Sequence, residues 1–435
     1  MSTPTRRAFM QGSLGALALG ALAACSNGST GTGSSSSSAK ADSFTGTGPI
    51  SWVQGKDFSG GMVQKHLDEW NKQYPNEKVT LIELSSEADQ QRQSLINNAQ
   101  TNSAAYDVIG LDVVWVAEFA ANRWVVELPA DQFTDSDYIK GVMDTGLYRD
   151  KRYAMPYATD ASIMYYRKDI LAKAGIKDVP ATWDDVLKAI EAVRKLPGMS
   201  SIGGFGGQWA KYEGLTCNIS EFIHTFGGDI VDSSGKVIID SPETVKAVQH
   251  VIDAFKNNVI PKAALEWKEE DGRNAFEAGK VLFYRQWPYQ YSNDLKQLGT
   301  DKFGVAPLPS INGKKYQATL GGHNCGITTN CKNKATALKF VKWWTNKESE
   351  QYALSTQSNA PTMGSLYTGA DNVKKFPYLP TLKASLDEAK GRPRVVNYGD
   401  VTAAIQDAIY PAIQSGGDAQ SVVTKLSDTL KSIIK

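Results

Sequence analysis

The chain has 435 residues, and its 47 Lys and Arg side chains nearly balance its 46 Asp and Glu side chains, which gives a formal net charge of +1 at pH 7. This length is sufficient for two packed domains with separate cores. The balanced charge argues against a nucleic-acid partner, because nucleic-acid-binding proteins ordinarily carry a basic patch or stripe.

The first 24 residues are typical of an export signal. Arg6 and Arg7 precede an apolar run at about 12–22, which is shorter than the roughly twenty residues of a membrane-spanning helix. The run ends in Leu-Ala-Ala-Cys, which resembles a bacterial lipobox and implies cleavage before Cys25 and lipidation of its thiol. The arginine pair also fits a twin-arginine signal, so the sequence leaves Sec and Tat export open.

Residues 25–48 consist almost entirely of Ser, Gly, Thr, Ala and Asn. Such a composition buries little apolar surface, so it predicts a flexible linker with a reach of roughly 25–30 Å. A lipidated Cys25 at its start would hold the following domain at the outer face of the cytoplasmic membrane. Beyond the signal, the sequence contains no second long apolar run.

Hydrophobic periodicity predicts strands alternating with helices along the mature chain, which favours parallel βαβ units and an open α/β sheet. The predicted strands are 50–54, 78–84, 106–111, 153–166, 303–308 and 326–329. The predicted helices are 62–74, 87–102, 183–193, 212–226, 242–257, 269–278 and most of the chain from 334 onward. Thr182 is the expected N-cap of one helix, with Asp185 near its N3 position.

Catalytic signatures are missing from the sequence. The four histidines show no zinc-ligand spacing, and neither a phosphate-binding loop nor a G-x-S-x-G motif occurs. An exported glycoside hydrolase, which needs paired carboxylates in an aromatic cleft, is disfavoured because eight regular βα units are not apparent. We therefore expect a protein that is not an enzyme and uses neither a cofactor nor a metal.

Four segments carry a family resemblance in their order along the chain. They are 107–124, 153–171, 275–289 and 304–322. Together they resemble the family-1 extracellular solute-binding proteins of ABC importers, the maltose-binding-protein-like group, over nearly the whole mature chain. Two shorter segments, 212–215 and 392–394, look closer to the trehalose and α-glucoside branch.

The resemblance implies an α/β, two-lobe periplasmic-binding-protein-like fold with a hinge near 158–161 and a ligand cleft between the lobes. The implied first lobe is 49–158 plus 299–345, and the second is 159–298 plus 346–435. The implied function is capture of a disaccharide or short oligosaccharide, with a trehalose- or maltose-like α-glucoside favoured, and its delivery by a monomer to the transmembrane subunits of an ABC permease. The alternatives are a binder of a peptide or polyamine and the hydrolase.

A sugar site needs polar groups for the hydroxyl edges and aromatic planes for the C–H faces. Trp287 is the expected stacking platform, although an ordinary core position is its alternative. Several polar candidates also have structural alternatives, such as helix capping for Asp112, hinge hydrogen bonding for Asp160 and a surface ion pair for Arg394. The candidate ligand-binding residues are Lys56, Asp57, Glu87, Asp112, Asp160, Tyr212, Glu213, Glu269, Trp287, Gly321, Gly322 and Arg394.

Three cysteines follow Cys25 in the sequence: Cys217, Cys325 and Cys331. An odd number leaves at least one thiol outside any intramolecular disulfide. Cys325 and Cys331 are close in sequence, but spacing alone does not determine the geometry that a disulfide needs. The sequence therefore leaves this disulfide open.

Overall fold

The structure, a computed structural model, describes residues 43–134 and 136–434. The predicted export signal, Cys25 and the predicted linker up to residue 42 lie outside the described residues. No helix within the described ranges is long and apolar enough to cross a membrane.

The described residues form strands and helices that alternate along most of the chain. The strands are β1 Ile50–Gln54, β2 Val79–Glu83, β3 Val108–Asp112, β4 Leu147–Tyr148, β5 Lys151–Arg152, β6 Met155–Ala161, β7 Ile163–Arg167, β8 Gly203–Gly206, β9 Val281–Gln286, β10 Phe303–Ala306, β11 Thr319–Ile327 and β12 Lys390–Gly391. The helices are α1 Met62–Gln73, α2 Ala88–Gln100, α3 Val116–Ala121, α4 Lys140–Met143, α5 Lys168–Lys173, α6 Trp183–Arg194, α7 Glu213–Phe226, α8 Pro242–Lys256, α9 Glu269–Glu277, α10 Gln290–Leu298, α11 Lys334–Trp344, α12 Lys347–Gln357, α13 Ser365–Thr368, α14 Ala370–Lys375, α15 Leu379–Glu388, α16 Tyr398–Ser415 and α17 Ala419–Ile433. Short 3-10 helices lie at 130–132, 144–146 and 262–266.

The larger sheet has the strand order β12-β11-β3-β1-β2, and β6 also pairs with β11. β1 is parallel to β2 and β3, whereas β11 is antiparallel to β3 and β6. Trp52, Val53 and Leu111 are fully buried, as expected for central strands covered on both faces. This sheet and its helices form the first lobe.

The smaller sheet has the strand order β10-β7-β9-β8, in which only the β8–β9 pair is parallel. Successive residues of a strand point to opposite faces. Phe283 of β9 packs in the core formed with α6, α7, α8, α16 and α17, whereas the next residue, Tyr284, packs in the core shared with α9 and α15. This sheet and the helices on its two faces form the second lobe.

β8 is a buried strand in a segment whose glycines predict a loop. A Cβ on Gly204 would lie 2.4 Å from Cδ1 of Ile190 and 2.7 Å from the carbonyl oxygen of Val259. Glycine is therefore required here because α6 packs directly on the strand. Gly204 therefore serves the packing of this strand against α6.

The lobe boundaries differ from the predicted ones in three segments. β12 pairs with β11 in the larger sheet, although the sequence predicts 346–435 in the second lobe. β10 belongs to the smaller sheet, although the sequence predicts 299–345 in the first lobe. α12 packs on α1 of the first lobe, where His66 Nε2 lies 3.0 Å from Ser349 Oγ and Tyr352 donates its hydroxyl to the Met62 carbonyl at 3.1 Å. Local periodicity carries no information about which distant strand or helix becomes the partner.

The predicted linker is too long at its C-terminal end. The Ala335 backbone N–H at the start of α11 donates to the Gly46 carbonyl at 3.1 Å, and the Gly48 N–H donates to Thr336 Oγ1 at 3.2 Å. Phe44 packs against the core of the first lobe. Residues 44–48 are therefore part of that lobe.

Two local features concern the helix cap and the thiols. The Asp185 N–H donates to Thr182 Oγ1 at 3.1 Å, so the predicted N-cap of α6 is confirmed.

Cys217, Cys325 and Cys331 are buried free thiols, so the disulfide that the sequence left open does not form in this structure.

Candidate functional site

A cavity of about 990 Å³ lies between the two lobes. The first lobe contributes the β1–α1 loop, the start of α2 and the residues after β3. The second lobe contributes the segment before α7, the start of α9 and the residues after β9. Residues of β6, β11 and α12, together with Arg392, also line the cavity. Most of these positions follow strand C-termini, where open α/β sheets place their ligand-binding loops.

The structure brings all but one of the predicted site residues to this cavity. Those that line it are Lys56, Asp57, Glu87, Asp112, Asp160, Tyr212, Glu213, Glu269, Trp287, Gly321 and Gly322. Their shared position agrees with the predicted cleft, while their individual roles in binding remain predictions.

Arg394 is the exception, and its predicted place at the cleft is wrong. Its side chain is exposed, and Nη1 donates to the Asp144 carbonyl at 2.7 Å. Arg392 lines the cavity instead. Both arginines follow β12 in an irregular segment, where no periodicity indicates which side chain points inward.

Arg392 links the walls of the cavity contributed by the two lobes. Its Nη2 donates to Asp112 Oδ1 at 2.9 Å, and its Nη1 donates to Glu213 Oε1. Glu213 also accepts hydrogen bonds from the hydroxyls of Tyr398 and Thr402. Burial raises the pKa of Glu213, and Arg392 opposes this by stabilising the carboxylate. The network holds three charged groups in fixed positions at the cavity wall.

Asp112, the last residue of β3, is a cavity residue and does not cap the helix that follows. Its Oδ1 accepts from the Val114 N–H at 3.1 Å in the turn after the strand, whereas α3 begins at Val116 and its N-cap, Trp115, has no side-chain cap hydrogen bond. The carboxylate lines the cavity and pairs with Arg392. The capping alternative for Asp112 is therefore wrong.

Trp287 lies at the cavity wall, half-buried. The centroid of its ring system lies 3.9 Å from Arg285 Cζ. The ring edge also borders Gly321, since a Cβ there would lie 3.4 Å from Trp287 Cζ3. Tyr289 lines the same cavity, whereas Tyr291 packs in the core against Tyr378. The indole therefore lines the cavity and packs on Arg285.

Two cavity carboxyls have raised pKa values. Burial, followed by the nearby charge of Asp112, raises the pKa of Asp160 to about 7, against the opposing effects of Arg285 and Arg392. Burial also raises the pKa of Glu269, although a hydrogen bond with Tyr212 opposes it. Hydroxyl donors on a ligand would supply partners for such carboxyls.

Gly322 allows β11 to pass close to β6. Its φ is +118°, and a Cβ would lie 2.4 Å from the Ala158 carbonyl oxygen. Any other residue would therefore strain the backbone and collide with the neighbouring strand. Gly322 has a clear structural role beside its place at the cavity.

The lobes also touch where the cavity opens. Lys268 Nζ of the second lobe lies 2.6 Å from Glu87 Oε1 of the first. The Phe58 and Tyr289 rings stack with centroids 6.2 Å apart. The sequence does not indicate Lys268 as a site residue, because pairing across a cleft leaves no local pattern, whereas Tyr289 follows Trp287 closely in the predicted stacking segment.

The described residues contain no group of His, Cys, Asp and Glu side chains that could hold a metal ion. His323 is at the cavity, and burial lowers its pKa, so it is neutral near pH 7. The chemistry of the cavity is that of hydrogen-bonding groups, charged pairs and aromatic rings.

Comparison with known proteins identifies the family. The family model for bacterial extracellular solute-binding proteins matches residues 59–351. A "probable ABC transporter-binding protein" of Deinococcus radiodurans is 30% identical over 358 residues, which cover 80% of this chain and 85% of that protein. The maltotriose-binding protein of Pyrococcus abyssi is 24% identical over 329 residues, which cover 73% and 68% of the two chains.

Solved structures of other solute-binding proteins share the fold of this chain. The maltose-bound MalE3 of T. maritima has a TM-score of 0.82 and 32% identity, covering 88% of this chain and 99% of that one. The GacH receptor of Streptomyces glaucescens shares the fold, with a TM-score of 0.79, 22% identity, and coverage of 89% and 98%. The predicted two-lobe fold is confirmed by these neighbours, and the chain belongs to the bacterial extracellular solute-binding proteins of ABC transporters.

Proposed function

We propose that this protein captures a disaccharide or short oligosaccharide outside the cell, closes its lobes over it, and delivers it to the transmembrane subunits of an ABC permease. A trehalose- or maltose-like α-glucoside is the favoured ligand. The observation that carries this proposal is the exposure of the Trp287 indole to a cavity whose other walls carry Asp112, Asp160, Glu213 and Arg392.

This combination suits the two surfaces of a sugar. An aromatic plane packs against the C–H face, while carboxylates and a guanidinium accept from and donate to the hydroxyls. The volume of about 990 Å³ lies at the upper end of the roughly 300–1,000 Å³ of ligand pockets, which favours a ligand larger than one sugar ring. Hinge closure then follows from binding the closed form more tightly than the open one.

The relatives support a sugar as the ligand class. Maltose occupies the T. maritima neighbour, and other relatives are named for maltotriose and arabinooligosaccharide. These relatives are binding proteins, which favours binding over hydrolysis. The choice of an α-glucoside and of a short chain length is our proposal for this protein.

Trp287 is expected to be essential for sugar binding. Ligand binding to the folded state raises the melting temperature, by an amount that corresponds to about 2.7 kcal/mol at a ligand concentration 100 times the Kd. Calorimetry with a panel of mono-, di- and oligosaccharides is expected to show this rise for one or a few sugars. Trp287→Ala is expected to abolish the rise while the empty protein still unfolds cooperatively.

Trp124→Ala is the matched control. Trp124 is also partly buried and packs against Phe119 in the first lobe, away from the cavity. This variant should keep the sugar-dependent rise. A response to polyamines or peptides, with none to any sugar, would contradict the proposal, and release of a monosaccharide from a bound glycoside would indicate a hydrolase.

We further propose that the protein is anchored through a lipidated Cys25, at the outer face of the cytoplasmic membrane. The proposal rests on the order of basic residues, apolar run and Leu-Ala-Ala-Cys in the sequence. We expect wild-type protein in the membrane fraction and a mass that includes acyl chains on the residue-25 peptide. Cys25→Ser should move the protein to the soluble exported fraction, and an unchanged distribution would refute the anchor.

A further inference from the structure

Arg285 lies behind the ring of Trp287. The guanidinium carbon is 3.9 Å from the ring centroid, and the Arg285 side chain is only 1% exposed. Trp287 lines the cavity but Arg285 does not. The guanidinium therefore covers one side of the indole and leaves the ligand side to the cavity.

Every nitrogen of the Arg285 guanidinium donates a hydrogen bond. Nε donates to Glu221 Oε2 at 3.0 Å, Nη2 donates to Glu221 Oε1, and Nη1 donates to Gln208 Oε1 at 2.9 Å. A planar guanidinium whose nitrogens are all hydrogen-bonded cannot rotate without losing some of these bonds. The plane on which Trp287 packs is consequently fixed.

Glu221 also accepts hydrogen bonds from both segments by which the chain crosses between the sheets. Ser162, between β6 and β7, donates its hydroxyl at 2.6 Å, and the N–H of Thr319, the first residue of β11, donates at 3.1 Å. Tyr316, just before β11, donates its hydroxyl at 3.3 Å. One carboxylate thus contacts two crossing segments and the support of the cavity tryptophan.

A contribution to the stability of the fold is a weak explanation for the buried ion pair between Glu221 and Arg285. Glu221 is fully buried and Arg285 nearly so, and removing two charges from water costs several kcal/mol per ion, which well-packed apolar side chains would avoid. The bidentate geometry instead specifies the orientation of a plane. That plane lies against a residue that faces the ligand.

We propose that Arg285 is a positioning residue for Trp287, and that Glu221 couples the orientation of the indole to the crossing segments. A ligand that stacks on Trp287 then favours the arrangement of crossing segments in which the ion pair is intact. Stacking and lobe closure are linked through this contact. The ligand-dependent part of this inference rests on the proposed function.

The test uses the purified full chain labelled with 5-fluorotryptophan. The ¹⁹F resonance of Trp287 is assigned by its loss in Trp287→Phe. Arg285→Lys keeps a positive charge beside Glu221 but removes the planar guanidinium. We expect the Trp287 resonance to broaden or split without any ligand, and the Kd of the best-bound sugar among maltose, maltotriose and trehalose to rise by about tenfold or more, a tenfold change being 1.4 kcal/mol.

Ser162→Ala tests the link to the crossing segment with little risk to folding. It removes one hydrogen bond to Glu221 and leaves Arg285 in place. We expect a shifted Trp287 resonance and a Kd that rises by about two- to tenfold, as for the loss of one hydrogen bond. Ser220→Ala is the matched control, because Ser220 is equally buried on α7 and donates to the Thr216 carbonyl at 2.7 Å, not to Glu221. It should leave the resonance and the Kd unchanged.

A wild-type Trp287 resonance in Arg285→Lys would overturn the positioning role. If Arg285→Lys does not fold, equal effects of Ser162→Ala and Ser220→Ala on the resonance would overturn it instead. An affected resonance with an unchanged Kd would overturn the coupling. If no sugar in the panel binds the wild type, the proposed sugar fails, while the ligand-free ¹⁹F spectra still decide the positioning role.

Discussion

Asp160 gives the empty cavity a charge that depends on pH. Its pKa is raised to about 7, mainly by burial and secondarily by Asp112, whereas an aspartate in an unfolded chain titrates near 3.9. Between about pH 4 and 7 the unfolded chain has lost this proton and the folded protein has kept it. The contribution of Asp160 to the free energy of unfolding therefore falls as the pH rises through this window.

Asp160→Asn should remove this dependence. We expect the melting temperature of the variant, relative to wild type, to increase from about pH 4.5 to 7 and then to level off. Calorimetry of both ligand-free proteins over this range measures the difference, in which other titrating groups, such as Glu350 with its pKa raised to about 8, largely cancel. A constant difference across the range would show that Asp160 is ionised throughout.

Individual site residues were predictable from the sequence to different degrees. Asp112 and Trp287 follow strands or motifs that the sequence displays, and both line the cavity. The sequence does not distinguish Arg394 from Arg392, because both occur in an irregular segment after β12, where the direction of a side chain depends on tertiary contacts. Lys268 pairs with Glu87, which lies more than 180 positions away in the chain, so no local pattern reveals it.

At the level of elements, the apolar strands β1 and β3 were predictable, whereas β8 and β9 were not. β1 and β3 are apolar because helices cover both of their faces, and their bounds lie close to those predicted. β8 reads as a loop because Gly203, Gly204 and Gly206 have low intrinsic strand preference. Its strand conformation depends on the close approach of α6, a tertiary effect that overrides local preference.

The close contact between β6 and β11 depends on the glycine at position 322. Gly322→Ala should destabilise the protein because the new Cβ would lie 2.4 Å from the Ala158 carbonyl oxygen at a φ of +118°. Strain of this kind costs of order 1–3 kcal/mol, which urea unfolding can measure. Gly141→Ala, where a Cβ meets nothing within 4 Å, should be neutral or slightly stabilising in α4. Equal stability of the two variants would exclude the steric requirement.

Glu87 of the first lobe and Lys268 of the second form an ion pair between the lobes. Their side chains are about one-third exposed, and Lys268 Nζ lies 2.6 Å from Glu87 Oε1. An exposed ion pair contributes about 0.2–1 kcal/mol, and because this one joins the lobes, under the proposed closure it stabilises only the form in which the lobes are together.

Lys268→Met should therefore speed ligand dissociation and weaken affinity by about two- to fivefold. Stopped-flow dissociation of a bound sugar at low and high ionic strength measures this, and the salt dependence should diminish in the variant. Lys151→Met is the control, because Lys151 pairs with Glu127 at 2.6 Å within the first lobe. If both variants lost affinity equally, a specific role for the contact at the cavity opening would be untenable.

The packing of residues 44–48 on α11 has a mechanical consequence. The Thr45 and Gly46 carbonyls and the Gly48 N–H are all bonded to the first residues of α11, so the N-terminal segment enters the fold on the first lobe alone. A force applied through residues 44–48 is borne by the first lobe, so under the proposed closure the second lobe is the part that moves. If the protein were attached to a surface through the chain that precedes residue 44, the proposed closure would move the second lobe while the first lobe stays in place.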